Sequence, residues 1–414
     1  MVEFRRTVTN PVFIAAFIVS FLVYSKIIPV KTEKPFLCLL KKSDITTLEG
    51  KISGNPVIVS QGKKYLVELN AEKANLCEAK GKIKVAFKSE DLQSLNPGKL
   101  YTVSRNCFLM EKGACVKLKV KYNPTTEAFF AEDIIDCHFK TDFWGKINLF
   151  RAKCRNMFKR LMYGWGKAGF FILSLLAGTR DYLDFKIQDD FKLAGLSHIL
   201  ALSGMHLSLV SNLSGKIGYK IAGKKYLFPV QLFSIIFFIW FAGLSPSLFR
   251  AFLCSFTTLF LSKISNKSSI SIVCLCGAFL VHSVVFPEHL FSPAFMLSYG
   301  ALLGIIVITP LVKPLFSAII PPGLNNALCT SLAAQTATCP VTIKLFKTFT
   351  PIGIISSVVV GPLVTFFLTL ATLLIFLCFA FPFMGAVCGI ILNKLYEFIE
   401  FFVKLFASVR PIYF

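Results

Sequence analysis

The chain has 414 residues, of which 55% are hydrophobic and only 16% charged, with a formal net charge of +23. Soluble proteins carry about 25% charged residues, so a uniformly soluble fold is excluded. The deficit is uneven: residues 31–160 are rich in Lys, Glu and Asp, whereas 168–400 are long apolar runs with few charges. The pattern predicts a polytopic α-helical membrane protein carrying an N-terminal extracytoplasmic small β (OB-like) domain, other small β folds fitting nearly as well. The positive excess fits positive-inside anchoring and anionic headgroups, and it also fits attraction for a polyanion such as nucleic acid.

In chain order, residues 1–30 contain a first transmembrane helix, PVFIAAFIVSFLVYSKIIPV at 11–30, with no clean small-x-small cleavage site after it. Arg5 and Arg6 before it place the N-terminus in the cytoplasm and residues 31–145 outside. Lys26 near the far end can snorkel to the interface. Residues 31–145 read as the β domain. Strand-like runs stand at 57–60, 65–69, 82–87, 100–104 and 115–120, separated by Gly-, Pro- and Asn-rich turns. Tyr65, Phe87 and Tyr101 serve equally as a stacking platform for single strands or as core residues. Cys107 and Cys115 bracket a turn containing Gly113 and form the first candidate disulfide, with Cys77 and Cys137 as the second. Free thiols are the alternative. No Cys-x-x-Cys occurs, which argues against a zinc knuckle or thioredoxin-like site.

Residues 146–164 form a basic amphipathic helix that fits the membrane surface. Its Arg151, Lys153, Arg155, Lys159 and Arg160 are, alternatively, candidate DNA contacts. Residues 165–392 alternate apolar segments with short polar joints and predict a multi-helix membrane domain of roughly seven to nine spans. Pro and Gly within them predict broken helices, a feature of transport sites. Residues 393–414 read as an amphipathic tail.

The block AGLSHILALSGMHLSL at 194–209 places His198, Ser203, Gly204 and His206 inside apolar sequence. On a continuous helix the two histidines stand about 80° apart, and a break at Gly204 brings them closer. Metal ligation needs a third ligand, and Asp181, Asp184, Asp189 and Asp190 match no standard spacing. No metal and no cofactor are therefore expected, and the histidines are assigned a structural or permeation role. Arg180 follows an apolar segment. Arg250 lies inside FAGLSPSLFRAFLC and needs an aqueous face or a partner at that depth. Gln335 is another polar group in an apolar run. The absence of P-loop, Gly-x-Ser-x-Gly and His-Glu-x-x-His motifs argues against an ATP engine and against an enzyme.

LLAGTR at 175–180, AGLSHILALSGMHLSLV at 194–210, FAGLSPSLFRAFLC at 241–254, FSPAFMLSYGALLGI at 291–305 and LAAQTATCP at 332–340 stand in this order. In this the chain resembles the ComEC/Rec2 competence proteins. The resemblance implies a multi-pass protein of the bacterial cytoplasmic (inner) membrane, acting as a channel or channel subunit for single-stranded DNA in natural transformation. It carries Gly178 and Arg180, the block His198, Ser203, Gly204 and His206, Pro246 with Arg250, Leu297 with Ser298, and Gln335 over as channel or core motif residues. With that function a separate nuclease, a DNA receptor and a helicase are the candidate partners; the lipid bilayer is expected from the apolar segments, and monomer and oligomer are both open. Many members continue into a metallo-β-lactamase-like domain, whose His-x-His-x-Asp-His signature does not occur here, so a short form is expected. A transporter of a smaller anionic or polar solute and a non-transporting envelope scaffold are the alternatives.

Overall fold

The computed structural model describes residues 11–25, 36–59, 64–88, 110–125, 128–180, 182–261 and 270–414. It divides into two compact units, Glu33–Phe185 and Met1–Thr32 together with Lys186–Phe414.

The first unit is a closed barrel followed by helices. Its strands are β1 (Leu37–Cys38), β2 (Thr47–Ile52), β3 (Val57–Val59), β4 (Lys64–Ala74), β5 (Cys77–Lys88), β6 (Cys115–Asn123) and β7 (Ala128–His138). The sheet order is β1-β5-β7-β6-β2-β4-β3, and an added β5–β4 pairing closes a ring of β2, β4, β5, β7 and β6. Ring neighbours are antiparallel except β5 and β7, which run parallel with Val85 opposite Phe129. This is the five-stranded Greek-key closure of an OB-type barrel. Alternation fills the interior: Leu48, Ile52, Val67, Leu69, Val85, Phe87, Val116, Leu118, Val120 and Phe129 point into one core. The β4–β5 turn puts Asn75 at φ 53°, and its side chain accepts the backbone N–H groups of Thr46 and Thr47 at 2.9 Å, pinning the hairpin to β2.

Several expectations change here. Phe87 is 1% exposed and belongs to the barrel core, so it is no stacking platform. The side chain of Tyr65 and all of Tyr101 lie outside the described residues, as do Cys107, Arg5, Arg6, Lys26 and the run at 100–104. Cys115 opens β6. No disulfide joins Cys77 to Cys137. In the parallel β5–β7 pair Cys77 lies upstream of Val85 and Cys137 downstream of Phe129, so the two stand at opposite ends. Strands β2 and β7 were not expected. β2 holds Gly50, where a Cβ would stand 2.4 Å from the Asn70 carbonyl oxygen, and β7 is rich in acids, so neither shows an aliphatic run.

After the barrel come the helices α2 (Phe143–Gly164) and α3 (Gly166–Ile172), the latter running into a π-helical turn, Leu173–Ala177. Asp142 caps α2 by accepting the Gly145 N–H at 2.8 Å.

 Helix α1 (Pro11–Tyr24) precedes them in the chain and belongs to the second unit.

The second unit is helical. After α1 it contains α4 (Phe185–Leu193), α5 (Ser197–Leu200), α6 (Gly204–Ala222), α7 (Leu227–Ala242), α8 (Pro246–Leu261), α9 (Ile270–Val285), α10 (Pro293–Phe316), α11 (Pro322–Phe346), α12 (Gly353–Ala380) and α13 (Gly385–Ala407). A short ladder pairs β8 (Thr348–Phe349) with β9 (Ile412–Tyr413). Among the described residues three helices are long and apolar enough to cross a bilayer, Lys224–Ala242, Pro293–Phe316 and Gly353–Cys378. Seven to nine such spans were expected, and breaks account for much of the difference. The apolar run 193–214 is interrupted at Ala201–Ser203, and Gly243 at φ 100° ends α7 before Pro246 starts α8. Phe233, Leu311, Leu315 and Phe366 are exposed on these helices, as lipid-facing positions are. Small residues let helices approach closely: a Cβ on Gly304 of α10 would stand 2.4 Å from the Ala337 Cβ of α11.

Candidate functional site

The signature block folds as a break between two helices. Helix α5 ends with Ala201 extended, and Ser203, also extended, opens α6. The Ser203 backbone N–H donates to His206 Nδ1 at 3.1 Å, and Ser203 Oγ lies 3.2 Å from the same nitrogen. His206 therefore satisfies a helix N-terminus from within its first turn. Because Nδ1 accepts, the neutral ring carries its proton on Nε2. That nitrogen is buried and has no hydrogen-bond partner among the described residues. His198 takes a different course: it is exposed on α5, with the Gly195 carbonyl hydrogen-bonded to its ring. Each histidine is held by its own local backbone. Among the described residues no three His, Cys, Asp or Glu side chains converge as a metal site.

Arg250 meets this break from α8. A Cβ on Gly204 would stand 3.4 Å from Arg250 Nη2 and 3.2 Å from the Ala251 Cβ, so the glycine admits the guanidinium beside the first residue of α6. Arg250 Nη1 donates to the Ser298 carbonyl of α10 at 3.0 Å, whereas its Nε is buried without a partner. Pro246 occupies the first position of α8, and Leu297 precedes Ser298 on α10. No carboxylate pairs with Arg250 among the described residues. A cation thus sits beside the positive end of a helix dipole, an arrangement that favours an anion.

A second junction brings together residues far apart in sequence. Gly195, at φ 73°, lies against Gly353 at the start of α12: a Cβ on Gly195 would stand 2.7 Å from the Gly353 Cα. Gln335 of α11 closes the same contact, its Nε2 2.4 Å from where a Gly353 Cβ would be, with its Oε1 buried and unpartnered. Ser356 of α12 is fully buried and donates to the Ala194 carbonyl at 2.6 Å. Ser356→Ala leaves that carbonyl without its donor and is expected to cost about 1–3 kcal/mol. A thermal melt of the full chain in detergent measures this, and an unchanged midpoint contradicts it.

Gly178 and Arg180 belong to the first unit. Gly178, at φ 67°, ends the π-helical turn in the left-handed conformation that favours glycine, and Arg180 is exposed. The five candidate DNA contacts on α2 divide into two groups. Arg151, Arg155 and Lys159 are buried, at 4%, 1% and 7% exposure, and so cannot reach DNA or headgroups. Arg155 Nε donates to Glu111 Oε2 at 3.1 Å and Lys159 Nζ to Glu111 Oε1 at 2.7 Å. Arg155 also reaches the Ala177 carbonyl and Thr179 Oγ1, both at 3.2 Å, and Arg151 Nη2 reaches Asn55 Oδ1 at 3.3 Å. Burial alone would push the Glu111 carboxyl up, but Lys159 and Arg155 outweigh it and hold it down at about 2. Lys153 and Arg160 remain exposed. The barrel's own lysine row, Lys117, Lys119 and Lys121 on β6, faces outward, but Glu49 on β2 and Asp133 and Asp136 on β7 stand opposite its members.

Sequence reasoning missed Glu111 and a hydrogen-bonded chain in the second unit. His282 of α9 is fully buried, with Nδ1 3.2 Å from the Tyr299 hydroxyl and Nε2 3.1 Å from His289 Nδ1. Phe249, Phe286 and Phe295 pack their rings edge-on around it. A lone histidine in an apolar helix gives no signal for this. The only hint was its place between blocks that supply Phe249 and Tyr299.

The fold and these junctions define a polytopic helical membrane protein with an N-terminal OB-type barrel. The family model described as Competence protein matches residues 175–413, more than half of the chain, and the chain belongs to that family. The matched region holds every motif block above and lies beyond the barrel. The chain is 25% identical over 199 residues to ComE operon protein 3 of Bacillus subtilis (strain 168), a match covering 47% of this chain and 24% of that protein. It is 26% identical over 244 residues to an uncharacterized protein of Aquifex aeolicus (strain VF5), covering 57% of this chain and 55% of that one. The matches thus span about a quarter and about half of these relatives' lengths. No solved structure matches the chain.

Proposed function

We propose that the protein is a conduit, or a conduit subunit, for single-stranded DNA uptake across the bacterial cytoplasmic membrane, of the ComEC/Rec2 type. The observation that carries this reading is Arg250, a cation without a carboxylate partner, set beside the N-terminus of α6 within the family's own motifs. Its Nη1 is engaged by Ser298, and the guanidinium edge beside Gly204 is suited to a phosphodiester oxygen. Passing phosphates would neutralise the charge transiently, and a contact to backbone rather than bases imposes no sequence preference. The barrel lies outside the cytoplasm in this reading. In this reading direction comes from partners: a receptor, a helicase and a nuclease.

Arg250→Gln is expected to weaken binding of single-stranded oligonucleotides to the full chain in nanodiscs equally across sequences. It should also flatten the dependence of log affinity on log salt by about 0.7. An unchanged slope excludes Arg250 as a phosphate contact. The same cation suits a smaller anionic solute, and this alternative predicts that mononucleotides compete as well as long strands.

A further inference from the structure

The outward face of α2 presents a different set of residues from the buried Arg151, Arg155 and Lys159. Phe143, Phe150 and Met157 fall at heptad spacing and are 71%, 60% and 63% exposed. Lys146, Lys153 and Arg160 repeat at the same spacing, each three positions after an apolar residue, and all three are exposed. Residues separated by seven share a helix face, and those three apart neighbour it, so the six form one stripe. Trp144 at 68% exposure widens its beginning. The helix contains no Asp or Glu. The opposite side, with Arg151, Arg155 and Lys159, is sealed on Glu111 and Asn55.

We infer that this Phe143–Phe150–Met157 face, with Lys146, Lys153 and Arg160, lies on an anionic bilayer surface and seats the barrel unit there. The pattern is that of an interfacial helix: rings and a thioether enter the acyl boundary while long basic side chains reach the headgroup phosphates. Charge complementarity selects anionic lipid, since the stripe carries three cations and no acid. The unit joins the membrane-spanning unit by the chain at both of its ends, so a bilayer is within its reach. The ion pairs from Arg155 and Lys159 to Glu111 make helix and barrel one body, so the seated face fixes how the barrel is presented.

The test uses the full chain in vesicles of phosphatidylethanolamine and phosphatidylglycerol, with p-benzoylphenylalanine in place of Phe150, of Met157 or, as a control, of the fully exposed Leu76 on the barrel. All three sites are exposed, so the probe leaves both cores intact. Illumination should join the probe at 150 and 157 to lipid and leave the probe at 76 without lipid. Adding Lys153→Gln or Arg160→Gln should lower the phosphatidylglycerol share of the adducts, by about fivefold per charge removed. Adducts to protein at 150 and 157, lipid adducts as abundant at 76, or replacement of lipid by added single-stranded oligonucleotide would each overturn the assignment, the last in favour of a nucleic-acid face. The outcome does not depend on whether DNA passes through the membrane unit.

Discussion

Glu111→Gln is expected to destabilise the barrel and its helix by roughly 3–5 kcal/mol, because it removes the carboxylate that buried Arg155 and Lys159 both face. The pair is sealed: Arg155 and Glu111 side chains are each 1% exposed, so solvent cannot screen the loss. The same lock sets an acid limit. Its carboxyl stands at about 2 against an ordinary 4.5, which corresponds to roughly 3 kcal/mol. A depressed carboxylate stabilises the folded state above its ordinary value. This contribution is fully present above about pH 4.5 and is lost as pH falls towards 2. Limited proteolysis of the full chain, followed by the survival of the barrel fragment, measures both effects. Equal resistance of wild type and variant at neutral pH contradicts the lock.

The second large effect falls on Gly195. Gly195→Ala imposes two costs at once. Its φ of 73° is strained for an L side chain, by about 1–2 kcal/mol, and the new Cβ meets the Gly353 backbone at 2.7 Å. Neither α12 nor the turn after α4 can give way by a rotamer change, since the clash is with backbone. The variant is expected to lose folded protein in detergent. Gly204→Ala provides the contrast. Its Cβ meets only the Ala251 Cβ at 3.2 Å and the end of the Arg250 side chain at 3.4 Å. It should fold, shift Arg250 and weaken oligonucleotide binding. Size-exclusion profiles and binding curves separate the two, and a Gly195→Ala protein as well folded as wild type contradicts the close contact.

Much of the architecture was legible. The shift from charged to apolar sequence near residue 165 marks where the polar β domain gives way to apolar helices, and alternation in KIKVAF and CVKLKV marks β5 and β6. Barrel closure was less visible because β2 and β7 lack aliphatic runs. Helix α2 misled in a specific way. Arg151, Arg155 and Lys159 read as part of a basic face for the membrane surface or, alternatively, for DNA, yet a single distant carboxylate, Glu111, holds two of them inward while Phe143 and Phe150 stand exposed. The break at Ser203–Gly204 was foreseen in position, but its cap by His206 depends on side-chain geometry. The meetings of Gly204 with Arg250 and of Gly195 with Gly353 join residues that no local pattern connects.

We propose that single-stranded DNA passes the membrane unit by way of Arg250. The most direct test is entry of labelled single-stranded DNA into vesicles that hold the full chain and enclose a single-strand-binding protein as a trap. Nuclease-protected label is expected inside wild-type vesicles, and much less in vesicles holding equal amounts of folded Arg250→Gln protein. Protected label no higher than in protein-free vesicles, or equal with the variant, would contradict it.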